Sequence, residues 1–182
     1  MQKLTLSIDE RVIVRAKRYA AAQGTSISKR RGEIFKSELL STLLPFRDAS
    51  NLVAVLKDRG YTLVAASSAK RDELQDLLKI AGAASLLDDS TSSDDADASK
   101  PDPDIIHAAL QRAHAAPADA VMIGDTPYDI AAATKAGVRT IAFRSGGWKD
   151  AHLSGAIAIY DGPWDLLSKL ETSPFGRLER AC

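Results

Sequence analysis

The chain has one cysteine, Cys182, so no disulfide framework and no cysteine-based metal site can form within it. A reducing, cytoplasmic setting is expected. No apolar run approaches the roughly 18 residues of a membrane span. The start is amphipathic and highly charged, without the apolar core of a signal peptide. A soluble, non-secreted protein with no membrane partner is expected. The three histidines, His107, His114 and His152, fall into no ligand cluster. Net charge is absent too, because 24 Lys and Arg balance 24 Asp and Glu. The balance hides an asymmetry: residues 1 to 36 hold nine basic residues against three acids, +6, which leaves −6 for the rest. Two segments of different origin or different partners are implied. With 182 residues and 45% hydrophobic side chains, one domain with a real core and a small appendage is expected.

Residues 120 to 148, AVMIGDTPYDIAAATKAGVRTIAFRSGGW, organise the chain. The apolar run Ala120 to Ile123 reads as a buried strand, and Gly124 lets the backbone turn. Asp125 and Asp129 follow, four residues apart, before an alanine-rich helix that Gly137 caps. Val138 to Phe143 then completes a strand, helix, strand unit. In an open parallel sheet ligands sit at the carboxyl ends of the strands, where Asp125 projects. Two acids there suit a hard divalent cation such as Mg²⁺. Read more plainly, Asp125 caps the helix and Asp129 decorates its first turn.

At the N-terminus Leu4, Leu6 and Ile8 alternate with Lys3, Thr5 and Ser7, the period of a strand with one polar face. Asp9 starts a helix with Val12, Ile13, Ala16, Tyr19 and Ala20 on one side, and Gly24 ends it. These 28 or so residues resemble the start of ribbon-helix-helix proteins of the antitoxin type. That resemblance implies a homodimer made by pairing two N-terminal strands, with Lys3, Thr5 and Ser7 entering the DNA major groove and a helix start near Thr25 and Ser26 meeting a phosphate. Lys29-Arg30-Arg31-Gly32 interrupts the apolar stripe that the second helix of that family carries. The plainer alternative is a basic solvated helix.

A helical pattern from Glu33 to Pro45 leads to a helix beginning at Asp48 or Ser50, with Leu52, Val55 and Leu56 inside. Gly60 stops it before the strand Tyr61 to Ala66. Ser67 and Ser68 sit just past that strand, where a serine would by itself read as a cap for the helix Arg71 to Ile80. After a polar stretch come Lys100, Pro101 and Pro103, then a helix carrying Ile106, Ala109, Leu110 and Ala113. A last strand, Ala156 to Tyr160, and a helix with Leu166, Leu167 and Leu170 finish the pattern. Trp148 and Trp164 read as packing residues, and the tail from Ser173 is expected to fray.

Three stretches in order resemble the haloacid dehalogenase (HAD) superfamily: Ser67 at a strand end, Ser99-Lys100-Pro101-Asp102-Pro103-Asp104, and Gly124-Asp125-Thr126-Pro127-Tyr128-Asp129 with Ala136-Gly137. The resemblance implies a phosphatase acting on a small phosphorylated metabolite. Ser67 would hold a phosphoryl oxygen, Lys100 would neutralise the phosphoryl group and the attacking carboxylate, and Asp125 and Asp129 would serve Mg²⁺. The loop Arg144 to Trp148 falls where such proteins often place substrate-side contacts. The fold implied is a three-layer, Rossmann-like α/β domain with a mainly parallel sheet and a short strand-helix appendage. Its expected division is 1–32 for the ribbon-helix-helix-like segment, 33–172 for the hydrolase domain with most of its cap absent, and 173–182 for the tail.

One expected piece is missing. In that family an Asp-x-Asp ends the first strand, the first Asp attacking phosphorus and the second moving the proton. No Asp-x-Asp lies upstream of Ser67, and the nearest mimic puts Asp9 at a strand end with Arg11 in place of the second acid. The alternating polarity of residues 3 to 8 suits an exposed or dimer strand better than a central one. The simplest expectation is therefore that the family's first strand is absent. The other is that residues 3 to 8 fill its slot and bring Asp9 toward Asp125 as a substitute nucleophile. A HAD-type hydrolase and a non-catalytic protein, either a DNA-binding regulator or a truncated fusion, both follow.

Overall fold

The structure is a computed structural model that describes residues 3–7, 40, 42–95 and 100–178, with 3–7, 177 and 178 described as backbone only. Six strands form one sheet in the order β3-β2-β1-β4-β5-β6: β1 Lys3–Ser7, β2 Thr62–Ala66, β3 Asp89–Thr91, β4 Ala120–Gly124, β5 Arg139–Phe143 and β6 Ala158–Tyr160. Every adjacent pair is parallel. Among the described residues the α-helices are α1 Ala49–Asp58, α2 Arg71–Ile80, α3 Asp104–Ala113, α4 Pro127–Lys135, α5 Pro163–Ser168 and α6 Pro174–Leu178. Among the described residues no helix is long and apolar enough to cross a membrane.

The near-continuous apolar runs of β2, β4 and β5 are what a parallel sheet covered on both faces demands. Successive side chains point to opposite faces. Leu63, Ala65, Val121, Ile123, Ile141 and Phe143 pack with Leu52 and Leu56 of α1, Leu74 and Leu78 of α2, and Leu166 of α5. Val64, Ala66, Ala120 and Met122 face Ile105, Ile106 and Ala109 of α3 and Ala132 and Ala133 of α4. Small alanines on α4 let that helix lie close to the sheet. Three layers result, as expected. Gly137, at φ 74°, ends α4 in the left-handed conformation the sequence suggested.

The N-terminal strand is the main correction. Of the two placements expected for it, exposed with the family's first strand absent or filling that strand's slot, the structure shows the second: β1 occupies the centre of the sheet. Lys3 to Ser7 pair with Thr62 to Ala66 on one side, and Lys3 to Leu6 with Ala120 to Ile123 on the other. The reason is backbone accounting: without β1, the facing edges of β2 and β4 would be left unpaired inside the molecule. That demand outweighs the alternating polarity. With both edges of β1 engaged, no edge remains for a second chain. The two-chain ribbon that would carry Lys3, Thr5 and Ser7 into a DNA groove is therefore not open to this strand. The helix expected after Asp9, the start near Thr25 and Ser26, and most of the Glu33 to Pro45 pattern lie outside the described residues.

The C-terminal stretch also departs from expectation. Ser173 is buried, and its hydroxyl donates to the Leu170 carbonyl at 2.6 Å and accepts from the Phe175 N–H at 3.1 Å. Phe175 is fully buried and meets Tyr61 edge-on, with ring centroids 5.4 Å apart. An aromatic anchor, invisible to a reading based on polarity, holds Ser173 to Phe175 against the core, and residues 179–182 lie outside the described residues.

Candidate active site

The strand order reverses between β1 and β4, and the chemically suggestive residues gather at the carboxyl ends of the strands around that point. Ser67, only 1% exposed, follows β2 directly. Its N–H donates to the Thr91 carbonyl at 3.0 Å, and its hydroxyl oxygen accepts from the Ala69 N–H at 3.2 Å. Next to it the Ser68 hydroxyl is buried without a hydrogen-bond partner among the described residues.

Lys100 reaches in from the loop before α3. Its ammonium donates to Asp129 Oδ1 at 2.8 Å and to the Ala66 carbonyl at 3.3 Å, and its side chain is 3% exposed. A lysine in this state is not a solvated surface charge. It spans from the end of β2 to the first turn of α4, across the position where β1 ends. Removing one partner of such a buried pair costs roughly 3 to 5 kcal/mol, because the other charge is left uncompensated.

Asp125 is buried just past β4. Asp129 sits in the first turn of α4, and both of its oxygens are committed. While Oδ1 takes Lys100, Oδ2 accepts the N–H of Asp125 at 3.2 Å, the N–H of Thr126 at 3.1 Å and the Thr126 hydroxyl at 2.9 Å. Thr126 in turn accepts the Asp129 N–H at 3.1 Å, which completes a capping box. The cap therefore belongs to Thr126 rather than to Asp125. Gly124 permits the fold-back, since a Cβ there would lie 2.6 Å from Asp129 Cβ.

A second glycine is part of the site. At Gly146, in the 3-10 turn Arg144–Gly146 after β5, a Cβ would lie 1.8 Å from the Asp125 carbonyl oxygen. The sequence marked the loop from Arg144 to Trp148 but gave no reason for a glycine at 146; only contact across strands supplies one. Arg144 itself is occupied. Its guanidinium meets both oxygens of Asp150, at 2.7 and 2.9 Å, and Asp161 at 2.7 Å. Those hydrogen bonds, with Asp150 first, push its pKa further above the ordinary arginine value. Trp148 packs against Ile130, Ala142 and Leu153, and touches Tyr128 and His152 edge-on.

The donor set fits a hard cation in part. Asp125 offers a carboxylate at the strand end, of the kind Mg²⁺ takes. Among the described residues no group of three or more His, Cys, Asp or Glu gathers to hold a metal. β1 delivers the chain between Ala66 and Ile123, directly beneath Lys100. Asp9, two residues beyond its end, lies outside the described residues.

Residues 6–143 match the family described as haloacid dehalogenase-like hydrolase. The chain is 35% identical over 85 residues to pyrophosphatase PpaX of Bacillus velezensis, covering 47% of this chain and 39% of that one. It spans about two-fifths to three-fifths of the length of the first curated relatives it matches. A hydrolase from Pseudomonas syringae has the same fold, with a TM-score of 0.77 at 22% identity over 94% of this chain and 99% of that one. CbbY from Rhodobacter sphaeroides, solved in complex with phosphate, aligns with a TM-score of 0.73 at 20% identity, over 91% of this chain and 96% of that one.

Proposed function

This chain belongs to the haloacid dehalogenase-like hydrolases, and from that membership we propose that it is a Mg²⁺-dependent phosphohydrolase acting on a small phosphorylated metabolite. The observation that carries the reading is the buried Lys100 ammonium, fixed by Asp129 and the Ala66 carbonyl beside Ser67. A desolvated cation next to a hydroxyl, at the ends of parallel strands, suits the oxygens of a phosphoryl group. The names of a relative, a pyrophosphatase, and of a structural neighbour solved with phosphate agree with that chemistry.

In this reading Ser67 and Lys100 hold the phosphoryl oxygens. Asp125 would hold Mg²⁺, which when bound neutralises phosphoryl charge. Asp129, with its oxygens engaged, serves the metal side by fixing the Asp125 backbone and Lys100. Asp9 is the proposed nucleophile: its carboxylate oxygen bonds to phosphorus as the ester P–O bond breaks, and the leaving oxygen departs with the electron pair. Water then attacks the acyl phosphate at phosphorus, which releases inorganic phosphate and restores the carboxylate. Arg11, where the family has its second acid, cannot protonate the departing oxygen. Leaving groups that are weak bases, such as aryl oxide or phosphate, are therefore favoured.

The test is Mg²⁺-dependent hydrolysis of an aryl phosphate, with Asp9→Asn and Asp125→Asn beside the unaltered chain. Loss in both variants is the expected result. No turnover above the variants, from protein with native circular dichroism, would overturn the proposal. It would favour the second reading, a non-catalytic protein on a hydrolase fold, which the arginine at position 11, in place of the family's second acid, supports. Duplex DNA binding that weakens steeply with salt would mark a regulator that uses a surface other than Lys3, Thr5 and Ser7.

A further inference from the structure

Residues 92 to 95 form a tight turn between β3 and Lys100, and more hydrogen bonds converge on it than a surface turn requires. Asp95 is its centre. Oδ2 accepts the Ser92 N–H and the Ser92 hydroxyl, both at 2.9 Å. Oδ1 accepts Arg71 of α2 at 3.0 Å and Arg112 of α3 at 2.7 Å. Arg112 also grips Asp89 at 3.0 Å. The turn is stitched to the Ser67 loop as well: the Ser93 N–H donates to the Ala69 carbonyl at 2.9 Å, and the Arg71 N–H to Asp94 at 3.1 Å. Lys100 follows five residues later. On its other flank Asp102 pairs with Lys135 of α4 at 3.2 Å.

The turn thus holds both the loop that carries Ser67 and, through Arg112, the helix that begins four residues after Lys100. The Asp95 side chain is 15% exposed, so its bonds are better shielded from water than ordinary surface pairs. The ammonium of Lys100 must end within hydrogen-bond reach of both Asp129 and Ala66. A long flexible side chain achieves that only if its backbone is placed.

We propose that Asp95 is a positioning residue for the phosphate site: by joining Ser92, Arg71 and Arg112 it sets the register between the Ser67 loop and Lys100. The phosphate part of this inference rests on the function proposed above; the placement of Lys100 does not. Two measurements separate them. In the first, lysines are reductively methylated and Lys100 modification is followed by mass spectrometry, with thermal unfolding recorded in parallel. Asp95→Ala is expected to expose Lys100 to reagent while the protein still unfolds cooperatively. Arg112→Gln, which removes only part of the cluster, is expected to give a smaller effect in the same direction, and it decides the matter if Asp95→Ala does not fold.

In the second measurement, inorganic phosphate affinity is determined by calorimetry for Asp95→Ala, Lys100→Met and the double variant. Misplacing a phosphate ligand is expected to weaken binding about tenfold. In the Lys100→Met background Asp95→Ala should add little, because both substitutions remove the same contact. Unchanged Lys100 labelling in folded variants, or fully additive losses in the double variant, would overturn the positioning role. Phosphate binding indifferent to Lys100→Met would instead overturn the functional reading and leave the labelling result to decide the placement.

Discussion

At the scale of single residues, the site depends on contacts that allow almost no change in volume. Gly146 is the sharpest case: a methyl group there would overlap the Asp125 carbonyl, and the backbone cannot yield without moving Asp125. Gly146→Ala is expected to lower aryl phosphate turnover by about a hundredfold, as misplacement of a site group by about 1 Å does, while circular dichroism stays native. Near-normal turnover would mean that the loop is free to shift. Asp95 gives a pH signature. The Ser92 N–H, helped by the Ser92 hydroxyl, Arg112 and Arg71 and opposed by burial, holds its carboxyl below the usual range. A depressed folded pKa means the stabilisation is fully present above the unfolded value of about 3.9 and is lost as pH falls through the folded one. Urea midpoints should therefore fall below about pH 4, and Asp95→Asn should flatten that acid limb.

At the scale of elements, α4 shows what the sequence disclosed and what it hid. The apolar run before Gly124, the two acids and the capping glycine were all legible, because local periodicity and turn chemistry encode them. The assignment of the cap was not. Thr126 and Asp129 form the reciprocal pair, and a threonine three residues before an acid was the available signal. Thr126→Ala is expected to destabilise the protein by about 1 kcal/mol in urea unfolding, and also to loosen Asp129 and hence Lys100. A loss of stability without any gain in Lys100 labelling would separate the two roles. α2 formed over the predicted residues, Arg71–Ile80. The start of the tail, Ser173 to Phe175, was misjudged because Phe175 is fixed by Tyr61, a residue more than a hundred positions away, and no local pattern carries that information.

At the scale of the whole molecule, β1 was the hardest element to place. Its alternating polarity describes a strand with one wet face, yet its position is set by two partners distant in the sequence. Asp125 and Asp129 could be picked out because they follow a recognisable strand end, whereas Ser67 and Lys100, which alone read as a cap and a surface charge, became candidates only through the resemblance to the family's motifs. That Lys100 bridges the end of β2 to α4 above β1 required the assembled sheet. If β1 is a central strand and not a detachable module, deleting residues 2 to 8 should abolish cooperative unfolding and leave aggregating protein. A soluble, cooperatively folding deletion variant would show that the sheet closes without it.

The same pairing has a consequence for synthesis. Lys3 hydrogen-bonds alongside both residue 62 and residue 120, so β1 leaves the ribosome long before either neighbour exists. At ordinary translation speeds β4 follows on the order of ten seconds later. Throughout that interval β1 has no native partner on its β4 side, and the nascent chain can only hold a half-built sheet. Closure is a late event of high contact order, which makes folding slow and the unfinished edge prone to capture by other chains. The strand translated before all its neighbours is the one they must close around, so the yield of folded protein should depend on what shields residues 3 to 7 until β4 has emerged.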